Sequence, residues 1–385
     1  MMQPDYRGGG IVNLMGSICA SFDAPTSGYA PLAALSAQRL SAHGHVVLLV
    51  LDGLGYSYVE KRNRSTLRNH LWSSMSSVFP PTTAAAIPTF LTGFAPQQHG
   101  FTGWFTYLGE LGCIAAVLPF TERGGAESSL RERGIGPRDL CGTSPVFERI
   151  SAPCSVVMPE QIAYSEFNMA FSRGAGIKAF RTLDQMFSAI TRIINTAPTR
   201  NYVYAYWPQF DSLAHKYGVA SEEVERHFVS IDTAFTRFLD TLREPVTVIV
   251  TADHGFVDSG RDRLVEIGAH PNLARLLAMP LCGEPRAAYC YVQPGRRDEF
   301  TAYVRRRLER EVELLASCEL IEREYFGLGQ CHPRLQDRVG HYVMAMRANY
   351  MVKDWVTGER RHQHIGVHGG FSRDELLVPL IIAQV

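Results

Sequence analysis

Three unbroken apolar runs, VVLLVL at 46–51, YVYAYW at 202–207 and VTVIVT at 246–251, constrain the fold of this chain more than any other feature. Each is short and rich in β-branched or aromatic residues, the pattern of strands buried on both faces of a parallel sheet. CSVVM at 154–158 reads as a further strand, and LLVPLIIAQV closes the chain as another. Helical stretches at 183–196 and 221–242 lie between them. Strands alternating with helices predict an α/β fold, a layered αβα core around a mostly parallel central sheet. The N-terminal IVNLMGSICASF reads as a helix packed on that core.

The stretch 258–350 has a different character. A strand at AAYCYV (287–292), a charged amphipathic helix over 299–316 and a β-rich run at 341–352 predict a small α+β cap. It is inserted into a core made of 1–257 and 351–385. Arg305, Arg306 and Arg307 read as a solvated helix face.

Composition narrows the function classes. Lys+Arg and Asp+Glu both number 38, so nothing in the overall charge draws the chain to nucleic acid or to a membrane surface. Any charged ligand must be recognised locally. No apolar run approaches the roughly 20 residues of a membrane span. Eight cysteines without a CxxC pair fit buried free thiols in a reducing compartment. A cytoplasmic setting is the expectation, with export as the alternative left open by the short apolar N-terminus.

An acidic residue follows each of the three strong strands: Asp52 in LDGLG, Asp211 in WPQFDSLAH and Asp253 in TADHGF. The carboxyl ends of parallel strands share one edge, so these carboxylates converge on one place. His215 lies four residues after Asp211, His254 directly follows Asp253, and His368 sits among glycines in HIGVHGG. Aspartate with histidine is a zinc-type ligand set, and three crowded carboxylates call for cations. His99 and His270 are left as surface or supporting residues. In FPPTTAAAIPTFLTG (79–93), the prolines place Thr82 or Thr83 at a helix N-terminus, either as a plain cap or as a hydroxyl beside an anion seat.

These pieces, LDGLG, FPPTTAAAIPTFLTG with PQQHG, DSLAH, TADHGF and VHGGFSRDELLVPL, span about residues 46–382. In that order the sequence resembles the alkaline phosphatase superfamily, in particular its type I phosphodiesterase/nucleotide pyrophosphatase branch. The resemblance implies one divalent ion held by Asp52, Thr83, Asp253 and His254, and a second held by Asp211, His215 and His368. It also implies that the nucleophile lies nine residues before the Thr of a Thr-Gly pair, which from Thr92-Gly93 is Thr83. Attack by its hydroxyl on phosphorus gives a phosphothreonine that water then hydrolyses. Zinc suits such ligands, and manganese or iron can take the same positions.

The chain also departs from that family. Where nucleotide-cleaving relatives carry an asparagine after the HG pair, this chain reads HGFTGWFTYLGELG, with Trp104 near that place. Trp104, Phe105 and Tyr107 can form a stacking wall for a substrate or serve as core. The Cys-x-Pro-x-Arg pattern of formylglycine sulfatases does not occur. The expectation is therefore a two-metal hydrolase of a small phosphate ester, with a diester or pyrophosphate favoured. Monoester hydrolysis, phosphonoacetate-type carbon–phosphorus cleavage and a non-catalytic metal-binding protein are the alternatives. Specificity is expected from the cap and from loops near 101–125 and 159–180. Natural substrate and oligomeric state have no readable signal.

Overall fold

In the computed structural model, which describes all residues except 43, 126, 127, 360 and 362, seven strands form the central sheet. Numbered in chain order they are β1 (His45–Leu51), β2 (Leu71–Ser76), β3 (Cys154–Pro159), β4 (Gly176–Phe180), β5 (Tyr202–Trp207), β6 (Val246–Thr251) and β7 (Leu377–Gln384). Their spatial order is β2-β7-β6-β1-β5-β3-β4. β4, β3, β5, β1 and β6 are parallel, and β7 lies antiparallel between β6 and β2. Every residue of β1, β5 and β6 is buried, so both faces are covered, as the unbroken apolar runs require. Helices Leu183–Thr196 and Glu222–Thr241 stand at the expected stretches, each capped by a hydroxyl, Thr182 or Ser221. Helix Ile11–Ser21 is buried almost throughout.

Two strands of this sheet lacked the apolar signal. β2 and β4 are its edges, with burial confined to a few positions, so their sequences LWSSMS and GIKAF carry no continuous run. Edge strands need only one half-covered face.

A second, wholly antiparallel sheet runs in the order 312–316, 342–346, 287–290, 282–284, 105–108, 113–116 and 121–122. It combines the segment expected as an insertion with three strands from 105–122, a contribution the sequence reading did not place there. The helix expected over 299–316 stops earlier. It spans Arg297–Arg307, and Val312–Ala316 becomes a strand paired with Tyr342–Met346. Alternation explains the switch: Val312 and Leu314 join the cluster built on Phe300 and Val304, while Leu315 faces the cluster around Tyr289 and Phe326. Sheet pairing on two apolar sides outweighs helix propensity.

That second cluster fastens the sheet to the core. It contains Phe79 and Phe371, whose rings are 4.4 Å apart, along with Ala287, Tyr289 and Val343. Beside it Arg286 forms a two-pronged ion pair with Glu375, Nε to Oε1 at 3.1 Å and Nη2 to Oε2 at 2.9 Å. Both side chains are fully buried, at 1% and 0% exposure. Glu375 also accepts from Gly370 N–H at 2.8 Å and from the Ser372 hydroxyl at 2.6 Å. Among the described residues no helix is long and apolar enough to cross a membrane. The cysteines are free thiols, six buried and two, Cys318 and Cys331, exposed.

Removing one partner of a buried ion pair strands the other charge. Glu375→Ala is therefore expected to cost about 3–5 kcal/mol of stability, read as a lower urea midpoint at unchanged slope. A loss under about 1 kcal/mol would show that the pair is not what secures the second sheet.

Candidate active site

Strand register brings the site together. β6, β1 and β5 are neighbours, with Val50 level with Thr251 and Leu51 level with Trp207, so their carboxyl ends coincide. Asp52 follows β1 directly, Asp253 lies just beyond β6, and Asp211 occupies the first turn of helix Gln209–Tyr217 after β5. Gly53, at φ +73°, turns the chain so that its N–H donates to Asp253 Oδ1 at 3.0 Å. A Cβ there would lie 2.4 Å from the Phe256 ring.

The side chains form two touching groups, Asp52, Asp253 and His254, and Asp211, His215 and His368, with the ligand atoms of each within 4.8 Å of one another. His254 Nε2 lies 3.3 Å from Asp52 Oδ1, 3.5 Å from Asp253 Oδ2 and 3.9 Å from Asp211 Oδ1. His215 Nε2 is 3.3 Å from Asp211 Oδ1 and 3.3 Å from His368 Nε2. Thr83 is the first residue of helix Thr83–Thr92, and its hydroxyl lies 3.2 Å from His254 Nε2. All seven residues expected from the sequence thus meet around one point. Trp104, 37% exposed, stands at the rim.

Each histidine is oriented the same way. The Nδ1 of His254, His215 and His368 reaches a backbone carbonyl, of Gly255 at 3.1 Å, Gly366 at 2.9 Å and Pro81 at 3.3 Å. A carbonyl only accepts, so Nδ1 carries the proton and Nε2 presents its lone pair inward. The Pro81 contact also ties His368 to the turn that carries Thr83.

Three buried carboxylate oxygens, Asp52 Oδ1, Asp211 Oδ1 and Asp253 Oδ2, have no hydrogen-bond partner among the described residues. Burial pushes the Asp52 and Asp253 carboxyls well above the usual range, and a neighbouring carboxylate adds to it, Asp211 for the first and Asp52 for the second. Burial also opposes the charge on Asp211, but in the metal-free site the positive charge that His215 takes up beside it outweighs burial and holds its pKa below the ordinary value. Burial, and then the His254 and His215 rings, keep His368 neutral. Orphaned carboxylate oxygens facing imidazole lone pairs are the donor set of divalent transition metals, so these residues fit two such ions.

The site opens into a cavity of about 400 Å³. Trp104 and Phe105 form part of its wall, whereas Tyr107 lies in the cluster around Tyr291, with ring centroids 5.4 Å apart. His99 is a buried support, bonded to the Thr89 hydroxyl at 3.2 Å, and His270 contacts the Tyr303 hydroxyl at 3.1 Å. Thr82 is the N-cap residue of its helix, yet its hydroxyl does not cap. It donates at 2.7 Å to Glu284, which also accepts from the Trp104 N–H at 2.6 Å. Burial raises the Glu284 pKa to about 7 despite these bonds. Glu284, Arg123, Lys353, Trp355 and His364 line the cavity and were not singled out from the sequence. Only the HQH triplet before IGVHGG hinted at one of them, His364.

The sequence matches the family described as Type I phosphodiesterase / nucleotide pyrophosphatase over residues 46–113 and 143–371. No curated protein sequence matches it. Among solved structures it is similar to murine ectonucleotide pyrophosphatase/phosphodiesterase 5 in an inactive form with AMP, at 16% identity and a TM-score of 0.65 over 88% of this chain and 87% of that one. The human counterpart gives 15% identity and 0.65 over 88% and 87%. Phosphonoacetate hydrolase from Sinorhizobium meliloti, in complex with phosphonoacetate, gives 16% and 0.64 over 88% and 90%. At these identities the likeness is one of fold.

The raised carboxyl pKa values carry a stability signature. In metal-free protein a folded-state pKa above the unfolded value of about 3.9 means that stability falls as pH rises from about 4 toward neutrality. Metal-free Asp52→Asn is accordingly expected to melt above metal-free wild type at pH 8, with the gap closing as pH falls and the wild-type carboxyl takes up its proton. Added zinc should raise the melting temperature of wild type and do less for the variant. A gap that stays constant with pH would refute the electrostatic account.

Proposed function

The chain belongs to the type I phosphodiesterase/nucleotide pyrophosphatase family, whose members hydrolyse phosphoric esters, and on that premise we propose that it is a two-metal hydrolase acting through Thr83. What carries this reading is the meeting of the Thr83 hydroxyl, three aspartates with orphaned oxygens and three histidines with inward Nε2 atoms. Asp52, Asp253, His254 and Thr83 would hold one ion, and Asp211, His215 and His368 the other. When bound, the pair supplies Lewis-acid charge that favours an ionised hydroxyl and neutralises the oxygens entering and leaving phosphorus.

The chain's own contribution is placement. Thr83 sits at a helix N-terminus, where the backbone dipole favours negative charge on its oxygen and on the phosphoryl group. Attack by Oγ1 forms an oxygen–phosphorus bond as the bond to the leaving alcohol or phosphate breaks. Water then cleaves the phosphothreonine and restores the hydroxyl. The imidazoles keep their Nδ1 protons on backbone carbonyls throughout, so the ring orientations do not change between the two halves. A diester or pyrophosphate is the favoured substrate. Hydrolysis of phosphonoacetate, the activity named for one neighbour in fold, is the second reading.

Metal content and hydrolysis of bis-nitrophenyl phosphate test the proposal together. Wild type is expected to bind about two ions and to lose turnover on chelation, recovering it with zinc or manganese. Thr83→Ala should lose at least about a thousandfold in kcat, while Asp211→Asn and His368→Ala should lose metal as well as rate. Full metal occupancy in both ligand variants would overturn the ligand assignment. Faster turnover of mono- than bis-nitrophenyl phosphate would overturn the diester preference, and phosphate release from phosphonoacetate would favour the second reading.

A further inference from the structure

The cavity is lined by two chemically different groups of residues. One holds Thr83, Asp211, His215 and His368, and the other holds Arg123, Asp354 and Glu359 in a closed ion-pair network. Arg123 donates to Glu359 Oε1 at 2.7 Å, to Glu359 Oε2 at 3.1 Å and to Asp354 Oδ1 at 2.8 Å. The Leu281 N–H donates to Asp354 Oδ2 at 2.6 Å, and the Val356 N–H to Glu359 Oε2 at 3.0 Å. All four carboxylate oxygens are thereby engaged.

Lys353 lines the same wall and is left out of this network. Among the described residues no carboxylate lies at ion-pair distance from its ammonium, which sits 5.1 Å from the centroid of the Trp355 ring. Burial draws its pKa down, and the nearby Glu359 offsets this only in part. Its charged neighbours are Glu359, Arg123, Glu284 and Asp354, whereas Glu284 is also within the field of His254 and His215. Glu284 is therefore a charge felt by both groups of residues. A half-buried cation on a cavity wall is costly unless an anion completes it.

We propose that Lys353 binds a second anionic group of the substrate, a carboxylate or phosphate a few bonds from the reacting phosphorus. Lys353 thereby selects compounds carrying two anionic groups over simple esters. Trp104 and Trp355 line the cavity that the atoms between the two groups would cross. This specificity rests on the hydrolase reading above. It differs from that reading in concerning a cavity-lining residue outside the proposed ligand set.

The test uses full-length, zinc-loaded protein and paired nitrophenyl esters of 2-carboxyethylphosphonate and 3-methylbutylphosphonate. These share leaving group and phosphorus and differ only in the distal anion, and a third ester carries a phosphonate in place of the carboxylate. Lys353→Gln is expected to reduce the ratio of kcat/KM for anionic over neutral probe roughly tenfold, and Lys353→Arg to preserve it. The anionic probe with the larger wild-type ratio identifies carboxylate or phosphate as the group bound. An unchanged ratio in Lys353→Gln would overturn the proposal. Calorimetric titration with methylenediphosphonate and methylphosphonate reads the same contrast without turnover. There, a preference for the bisphosphonate that disappears in Lys353→Gln supports the proposal, and one that persists overturns it. A protein inert on every ester would count against the hydrolase reading alone, because the titration still decides the role of Lys353.

Discussion

Repulsion among Asp52, Asp211 and Asp253 is the constraint around which the rest of the molecule is arranged. The register of β6, β1 and β5 forces three carboxylates to one sheet edge, where burial denies water to Asp52 and Asp253 and leaves Asp211 partly exposed. Left alone, such a cluster would take up protons or open. Instead the surrounding chain turns three imidazoles toward it and, among the described residues, leaves one oxygen of each aspartate without a hydrogen bond. On the two-ion proposal such a folded state would be completed by cations, which would link metal binding to folding thermodynamically.

The second sheet is part of that arrangement. Phe79 precedes the turn that carries Thr83, Phe371 follows His368, and both rings lie in the cluster beneath the sheet. Arg286, on the sheet, is paired with Glu375, which also holds Gly370 next to the His368 loop. Gly369, at φ +96°, is needed because a Cβ there would meet Glu284 Cβ at 2.6 Å. The wall that shapes the cavity therefore also fixes the turn that carries Thr83 and the loop that carries His368.

Legibility in the sequence followed burial and locality. β1, β5 and β6 were readable because strands covered on both faces must be apolar at every position, and the convergence of Asp52, Asp211 and Asp253 was readable because they sit just past those strands. β2 and β4 were not, since an edge strand such as LWSSMS alternates weakly. The end of helix Arg297–Arg307 was misjudged because VELLA pairs with a strand some thirty residues later, information absent from its own neighbourhood. Thr82 illustrates the same limit within the site: its position as a helix cap is local, but its bond to Glu284 spans 202 residues. Glu284 and Lys353 have no motif around them, as their roles come from the cavity they line.

The make-up of the second sheet has an evolutionary corollary. Residues 105–122 supply three of its strands, and the joint between the two parts is the single pairing of Gly283 with Phe105. Such a sheet is not a detachable cassette: excising the stretch from 282 to 346 would strip Phe105 of its strand partner and Tyr107 of the Tyr291 ring, opening that side of the strand to other chains. Exchange of whole modules between relatives is thus a poor route to new substrates for this architecture. Point changes in the lining, at positions such as Trp104 or Lys353, leave the joint intact and are the route by which its chemistry can drift.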